Sequence, residues 1–197
     1  MNPYESVAEF ERRMAVFAGA REGVATDSCT SALFLACKFL GVKKVTLPAR
    51  TYISVPAAVV HAGGSVAFED VQWTGMYALK PYPIYDAALR LRHGMFEGGF
   101  QCLSFQSKKH LPIGRGGMLL TDDSDAARWL RQARSNGRHF NVPFTEDRID
   151  MLGWNFYMTP EQGDKGLQLL QDLRPDLPDI VNEYPDLREM PVFKEAA

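Results

Sequence analysis

The sequence predicts an α/β fold in which helices cover both faces of a mostly parallel sheet. The first seventy residues alternate between segments with helical spacing of apolar residues and short apolar runs typical of strands. Glycines follow the first two predicted helices, and a glycine-rich loop further along the chain lies between two strand-like runs. Helices that alternate with strands connect parallel strands across the sheet, so they are expected to pack on its faces.

The individual elements follow from local patterns. Apolar residues at Val7, Phe10, Met14 and Phe17 predict a first helix, which Gly19 ends. The other predicted helices are 31–40, 52–61, 124–135 and 160–173, and the predicted strands are 23–26, 45–47, 65–69, 84–85, 100–105 and 117–121. Residues 71–83 contain two prolines, a glycine and three aromatic residues and are predicted to form an ordered loop. Residues 138–158 are also predicted to be loop-like.

Composition narrows the class of protein. The chain has 197 residues, 46% of them hydrophobic and 23% charged, which is enough for one domain with a real core. The net charge of −2 is spread without blocks of like charge, so neither nucleic acid nor a membrane surface is an expected partner. The first residues lack the features of a signal peptide, and the three cysteines have no metal-ligand spacing. We therefore expect a cytoplasmic protein without a metal site.

A pair of lysines is the most informative local feature. Lys108 and Lys109 follow the apolar run 100–105 and precede the glycines of 114–117. A lysine between a strand end and a glycine loop can attack the aldehyde of a cofactor and form a Schiff base, and nearby cations can lower its pKa. Surface lysines beside a turn are also common, so this pair alone does not decide the function.

Four further features lie where a phosphate-bearing cofactor would need them. Residues 27–32 lie between a strand and a helix, where N–H groups and hydroxyls bind phosphate or simply cap the helix. Tyr52 can stack on a flat ring or cover the edge of the core. Asp86 ends an apolar strand, where its carboxylate can keep a pyridine nitrogen protonated or cap a helix. Asn155 is flanked by aromatic residues just before a helix.

In this order the features resemble the DegT/DnrJ/EryC1/StrS family of nucleotide-sugar aminotransferases, which depend on pyridoxal phosphate (PLP). The resemblance runs from about Val7 to Leu173. Each piece is weak alone, whereas the ordered set is specific. The pieces are Phe10 with Glu11, 17–19, 28–33, 47–52, 86–88, Ser104 and Phe105 with Lys109, Gly116 with Gly117, Asn136 with Gly137, and Asn155 with Met158 and Thr159.

The resemblance implies a three-layer α/β/α sandwich like the large domain of fold-type-I PLP enzymes. Residues 1–173 would form this PLP-binding domain and 174–197 a short C-terminal tail, with the small C-terminal domain of the family largely missing. The tail, which carries four prolines and many charges, is predicted to be poorly packed or to lean on a partner. Fifteen residues separate Asp70 from Asp86, where the family has a further strand and helix. A homodimer with a shared active site is also implied.

The resemblance also assigns roles to residues. Lys109, five residues after Ser104, would form the Schiff base with PLP and later shuttle the proton. Asp86 would pair with the pyridinium nitrogen, and Tyr52 would stack on the ring. The other implied cofactor-binding residues are Cys29, Thr30 and Ser104 for the phosphate, and Asn155 for the phosphate of the neighbouring subunit.

Three positions qualify this assignment. Leu89 stands where the family usually has Gln or His in contact with the ring oxygen of PLP, so Arg90 or another group would have to replace that contact. Cys29 replaces a common glycine. Family members that dehydrate a sugar carry His at the lysine position, and His110 directly follows Lys109, so a shift of one residue would indicate that branch.

The implied function is amino transfer from a donor such as glutamate to a keto sugar, expected to be nucleotide-linked. Two alternatives stay open: a reduced homologue that binds PLP or a partner chain without turnover, and a PLP-dependent sugar dehydratase-like enzyme. The segment 73–77 is either a wall for the substrate or an aromatic plug over the sheet edge. Candidate groups for a donor carboxylate or sugar diphosphate are Arg50, Arg90, Arg92 and Arg115.

Overall fold

The computed structural model describes residues 4–139 and 141–194. In chain order the elements are α1 (Glu5–Ala18), β1 (Glu22–Thr26), α2 (Cys29–Leu40), β2 (Lys44–Pro48), α3 (Ser54–His61), β3 (Ser65–Glu69), β4 (Tyr77–Ala78), β5 (Ile84–Asp86), β6 (Phe100–Ser104), β7 (Gly117–Thr121), α4 (Ser124–Ala133), α5 (Pro160–Gln171) and α6 (Pro191–Lys194). The predicted helices and strands are confirmed to within a few residues at their ends. The prediction that residues 71–83 form a loop is wrong at β4. This strand has two residues and is too short to leave a periodic pattern in the sequence.

The sheet is mixed. Five strands lie in the order β1-β7-β6-β5-β4, and β2 and β3 form a separate parallel pair. Strands β1, β5 and β6 run in one direction, whereas β7 and β4 run in the other. An antiparallel bridge between Thr46 and Lys80 joins β2 to the segment that follows β4. The predicted α/β fold is confirmed, and antiparallel pairs enter it through β7 and β4.

Two apolar cores lie on opposite faces of the sheet and give the molecule three layers. Neighbouring residues of one strand belong to different cores, as in β6, where Cys102 faces one core and Leu103 the other. Helices α2, α3 and α4 cover the first face, and α1 and α5 cover the second. Helix α5 packs closely on α1 because Gly163 and Gly166 leave no side chain against Val7 and Phe10.

A buried ion pair ties α1 to α4 across β1. Glu11 and Arg134 are both almost fully buried, and their side chains contact each other. Glu11 also accepts the backbone N–H of Ala25 at 2.8 Å, and Arg134 donates to the Ala25 carbonyl. Arg131 adds contacts to Glu11 at 3.3 Å and to Glu22 at 2.9 Å. The two helices and the edge strand are therefore held by one polar network.

The C-terminal segment packs along the domain. The backbone N–H of Ile180 donates to the Leu89 carbonyl, and that of Leu187 donates to the Ala49 carbonyl, both at 2.9 Å. Leu187 is 2% exposed, and the ring of Phe193 in α6 packs edge-on against Phe68. The tail thus packs on its own domain at a few points, although most of its described residues are exposed or only partly buried. These contacts are long-range pairings that proline content and charge cannot reveal.

Candidate active site

A cavity of about 850 Å³ lies beside the strand ends and α2. Its lining includes most of the site residues predicted from sequence, namely Cys29, Thr30, Tyr52, Asp86, Ser104 and Lys109. Asn155 is not among the described residues that line it; this residue is exposed and its backbone pairs with Ser135. The fold thus gathers six of the seven predicted residues around one cavity.

The base of the cavity carries a buried carboxylate. Asp86 ends β5, is 4% exposed, and accepts the backbone N–H of Ala88 at 3.0 Å. Its second oxygen accepts the hydroxyl of Tyr77 at 3.1 Å, since Tyr77 is the partner of Asp86 in the β4–β5 register. The Tyr77 hydroxyl has one proton and donates it to Asp86. The hydroxyl of Thr51, 2.5 Å away, therefore donates to the Tyr77 oxygen.

Burial raises the pKa of Asp86, and the bonds from Ala88 and Tyr77 and the charge of Lys109 act against that rise. Burial and the nearby Asp86 charge raise the pKa of Tyr77 well above its usual value, so its phenol stays protonated and continues to donate. Asp86 is thus an acid whose charge state depends on the few donors that touch it.

The two lysines differ in environment. Lys108 is exposed, whereas Lys109 is partly buried. Burial lowers the pKa of Lys109, and the nearby Asp86 carboxylate acts against that fall. A lowered pKa increases the fraction of free amine near neutral pH, which is the form that attacks an aldehyde. His110 turns elsewhere, with Nε2 2.8 Å from the carbonyl of Pro178, so Lys109 rather than His110 faces the cavity.

The N-terminus of α2 supplies donors on another side of the cavity. Ser28 is the N-cap residue and accepts the backbone N–H of Ser31. Thr30 Oγ1 donates to Ser54 Oγ at 2.8 Å, which places two hydroxyls together. β7 approaches closely because Gly117 has no side chain: a Cβ there would lie 2.4 Å from the Cys29 nitrogen. Helix N-termini with adjacent hydroxyls bind phosphate groups.

The side chain of Cys29 faces away from the hydroxyls of Thr30 and Ser54 and toward the sheet. Its Sγ points into the protein and lies 3.5 Å from the carbonyl of Cys102. Burial raises the pKa of the Cys29 thiol well above its usual value, so it stays protonated and is a poor nucleophile. The replacement of glycine by cysteine is therefore accommodated by the core.

Of the candidate arginines, one lines the cavity and two others form ion pairs elsewhere. Arg115 lines the cavity and its guanidinium contacts Asp27 at 2.6 Å. Arg50 forms an ion pair with Asp70, and Arg90 forms one with Asp179, and neither is among the described residues that line this cavity. Leu89 is 3% exposed and is itself part of the cavity wall.

Several residues of the site have no clear sequence signal. Tyr77 reaches Asp86 through the β4–β5 pairing, which the sequence pattern did not indicate, and Thr51 contacts the Tyr77 hydroxyl. Asn182 and Tyr184 line the cavity from the C-terminal segment, more than ninety residues after Asp86. Their aromatic and amide character is compatible with binding, but nothing local in the sequence connects them to the cavity.

Comparisons with known proteins agree with this geometry. A family model described as the DegT/DnrJ/EryC1/StrS aminotransferase family matches residues 1–87 and 91–175. The spore coat polysaccharide biosynthesis protein SpsC of Bacillus subtilis is 29% identical over 178 residues, which cover 66% of this chain and 46% of that protein. GDP-perosamine synthase of Caulobacter vibrioides is 24% identical over 211 residues, covering 84% of this chain and 56% of that protein.

Solved structures show the same fold. NtdA from Bacillus subtilis, with bound cofactor PMP, superposes with a TM-score of 0.72 at 20% identity, over 85% of this chain and 48% of that chain. This chain spans about half the length of the curated relatives it matches. The family model covers most of the sequence and includes the positions of Asp86 and Lys109. The chain belongs to the DegT/DnrJ/EryC1/StrS aminotransferase family.

Proposed function

We propose that this chain binds PLP and transfers an amino group from a donor such as glutamate to a keto sugar. The observation that carries the proposal is a buried carboxylate, Asp86, in the same cavity as a partly buried lysine, Lys109. PLP carries a phosphate, a basic ring nitrogen and an aldehyde. The N-terminus of α2, Asp86 and Lys109 offer groups that match these three features.

Each cavity residue would have a separate role toward PLP. Thr30, Ser104 and the backbone of Cys29 would hold the phosphate, and Tyr52, 58% exposed on the cavity wall, would cover the ring. Asp86 would keep the ring nitrogen protonated. When bound, PLP supplies an electron sink for the carbon that carries the amino group. Lys109 would carry the proton to and from that carbon.

A nucleotide-linked keto sugar is the proposed acceptor. Lys108 and Arg115 are exposed cations on the cavity lining, and such groups bind a diphosphate. The name of GDP-perosamine synthase, a relative of this chain, points to an amino sugar linked to a nucleotide. The position of His110 outside the cavity lining favours amino transfer over the dehydratase-like alternative.

We further propose that the enzyme is a cytoplasmic homodimer with shared active sites. Asn155 is exposed and lies away from its own cavity, where it is free to reach a neighbouring subunit. The three cysteines are free thiols, which suits a reducing compartment. No helix in the described ranges is long and apolar enough to cross a bilayer. Residues 1–173 would be the PLP-binding domain and 174–197 a short tail, whose residues Ile180, Asn182 and Tyr184 line the cavity.

Absorbance spectra with added PLP test the proposal. The unmodified chain is expected to develop a visible band as PLP attaches to the lysine, and Lys109→Ala is expected to lose it. Lys108→Ala is the matched control, because it removes the neighbouring exposed lysine, and it should keep the band. Loss of the band in Lys108→Ala but not in Lys109→Ala would contradict the assignment of the Schiff base to Lys109.

Addition of L-glutamate to the PLP complex separates the functional alternatives. An aminotransferase should bleach the visible band as the amino group moves to the cofactor and 2-oxoglutarate is released. A band that no amino donor changes would instead support a protein that binds PLP without turnover.

A further inference from the structure

A second cavity lies next to the cavity that contains Asp86 and Lys109, and the two share part of their lining. This second cavity, of about 330 Å³, is bounded by residues 71–75 and the C-terminal segment. Four residues line both cavities and so form the wall between them: Leu89, Ile180, Asn182 and Tyr184. Leu89 and Ile180 are apolar, and polar atoms on this wall come from Asn182 and Tyr184.

These two polar residues lie in a segment that is fixed at its beginning. We call residues 179–190 the strap. Asp179 accepts two hydrogen bonds from the guanidinium of Arg90, at 2.9 and 2.6 Å, and both side chains are largely buried. Gly75 makes room for this carboxylate, since a Cβ there would lie 2.2 Å from it. Such a bidentate pair restricts both position and orientation.

The other end of the strap is fixed as well. Leu187 is buried, and its backbone N–H is bound to the Ala49 carbonyl. Asp186 contacts Arg188 at 2.5 Å and Arg50 at 3.3 Å, and Arg188 reaches Asp70 at 3.2 Å. The residues between the two ends are therefore held beside the cavity.

Tyr184 is the strap residue best placed to meet a ligand. Its ring lies nearly parallel to that of Trp73, with interplanar angle 13° and centroids 6.2 Å apart. Asn182 Nδ2 donates to its hydroxyl at 2.9 Å, which leaves the hydroxyl proton available for another acceptor. Burial raises the pKa of Tyr184, and Asp86, Tyr52 and Cys29 all act electrostatically on its phenol. The phenol thus stays protonated close to the groups proposed to surround the PLP ring.

We propose that Tyr184 is a ligand-binding residue of this site, whose hydroxyl donates to the phenolic oxygen of bound PLP. It would make from the strap the polar contact that Leu89 cannot make from its own position. The inference rests on the proposed function, because the ligand is PLP.

Equilibrium titration with PLP tests this role without any measurement of turnover. Tyr184→Phe removes the hydroxyl and keeps the ring stacked on Trp73, so we expect the Kd for PLP to rise about tenfold, as for one lost hydrogen bond. The absorption maximum of the bound band should also shift. Tyr82→Phe is the matched control: that hydroxyl accepts the N–H of Lys43 outside the cavity lining, and its Kd should be unchanged.

A second variant tests the strap itself. Asp179→Asn weakens the pair with Arg90 and leaves Tyr184 intact, so PLP should dissociate several-fold faster than from the unmodified chain.

Thermal unfolding without PLP verifies that each variant is folded. If Tyr184→Phe binds PLP like the Tyr82→Phe control, the role of Tyr184 is wrong and the proposed function stands. If the unmodified chain does not bind PLP, both are wrong.

Discussion

At the scale of single residues, burial raises the pKa of Asp86, and hydrogen bonds from the Ala88 N–H and the Tyr77 hydroxyl act against that rise. Tyr77 donates to it at 3.1 Å, and Thr51 orients Tyr77. Burial alone favours the neutral carboxyl, whereas a carboxylate is needed to hold a ring nitrogen protonated. Cys29, Cys102, Lys109 and Tyr184 are the other titratable groups that interact with Asp86, and burial keeps both thiols neutral.

Tyr77→Phe is expected to raise the pKa of Asp86 further, because the bond that favours the charged form is lost. The pKa of Asp86 is higher in the folded chain than in the unfolded chain, where an Asp titrates at about 3.9. Below that unfolded pKa, the contribution of such a group to the stability of the fold is fully present. That contribution is lost as pH rises through the folded pKa. The variant should therefore lose about 1–3 kcal/mol more at pH 8 than at pH 5.

Urea unfolding of the PLP-free protein at both pH values measures this difference. Tyr85→Phe, on the neighbouring strand position, serves as the control and should show no such pH dependence. An equal loss for Tyr77→Phe at both pH values would mean that Asp86 does not respond to the hydroxyl.

At the scale of elements, one polar network sets how α1 and α4 meet the edge strand β1. Glu11 pairs with Arg134 and accepts the N–H of Ala25 at once, and all three residues are buried. Removal of one partner of a buried pair leaves the other charge uncompensated, which costs more than the pair itself contributes. The position of α1 matters for the molecule because α5 packs on it through two glycines.

Glu11→Ala should lower the free energy of unfolding by about 3–5 kcal/mol, since Arg134 stays buried without its carboxylate. Glu22→Ala is the control, because this carboxylate is partly exposed and its ion pair among the described residues is with Arg131, so it should cost about 1 kcal/mol or less. Urea unfolding followed by circular dichroism gives both values. Similar small losses for the two variants would show that the network does not stabilise the fold.

At the scale of the whole molecule, the segment that precedes Asn155 exposes large apolar side chains. Phe144 is 68% exposed, Ile149 43% and Leu152 91%. Exposed apolar groups clustered along one segment are typical of a surface that binds another protein. Their proximity in sequence to Asn155 supports the proposed dimer, with an interface beside the proposed shared site.

Leu152→Glu is therefore expected to weaken the proposed dimer at least tenfold, because a charge would be buried at the interface. Sedimentation equilibrium over a range of protein concentrations measures this change. Val181→Glu, at a strap position that is 86% exposed, is the control and should leave the association unchanged. A monomeric unmodified chain would refute the interface.

Local sequence patterns determine most of the elements and the residues proposed for the chemistry. Apolar spacing and glycines predict α1 and α2, a strand end marks Asp86, and a strand end before a glycine loop marks the pair Lys108 and Lys109. The choice of Lys109 within that pair came from the resemblance to the family. These features are local, because each depends on residues within a few positions of one another.

Only the tertiary structure decides what surrounds that chemistry. Tyr77 reaches Asp86 because β4 pairs antiparallel with β5, and His110 turns away because the carbonyl of Pro178 holds it. The strap lies beside the cavity because Arg90 binds Asp179 across eighty-nine positions of sequence. Contacts at such separations depend on the packing of the whole chain, so no spacing rule in the sequence predicts them.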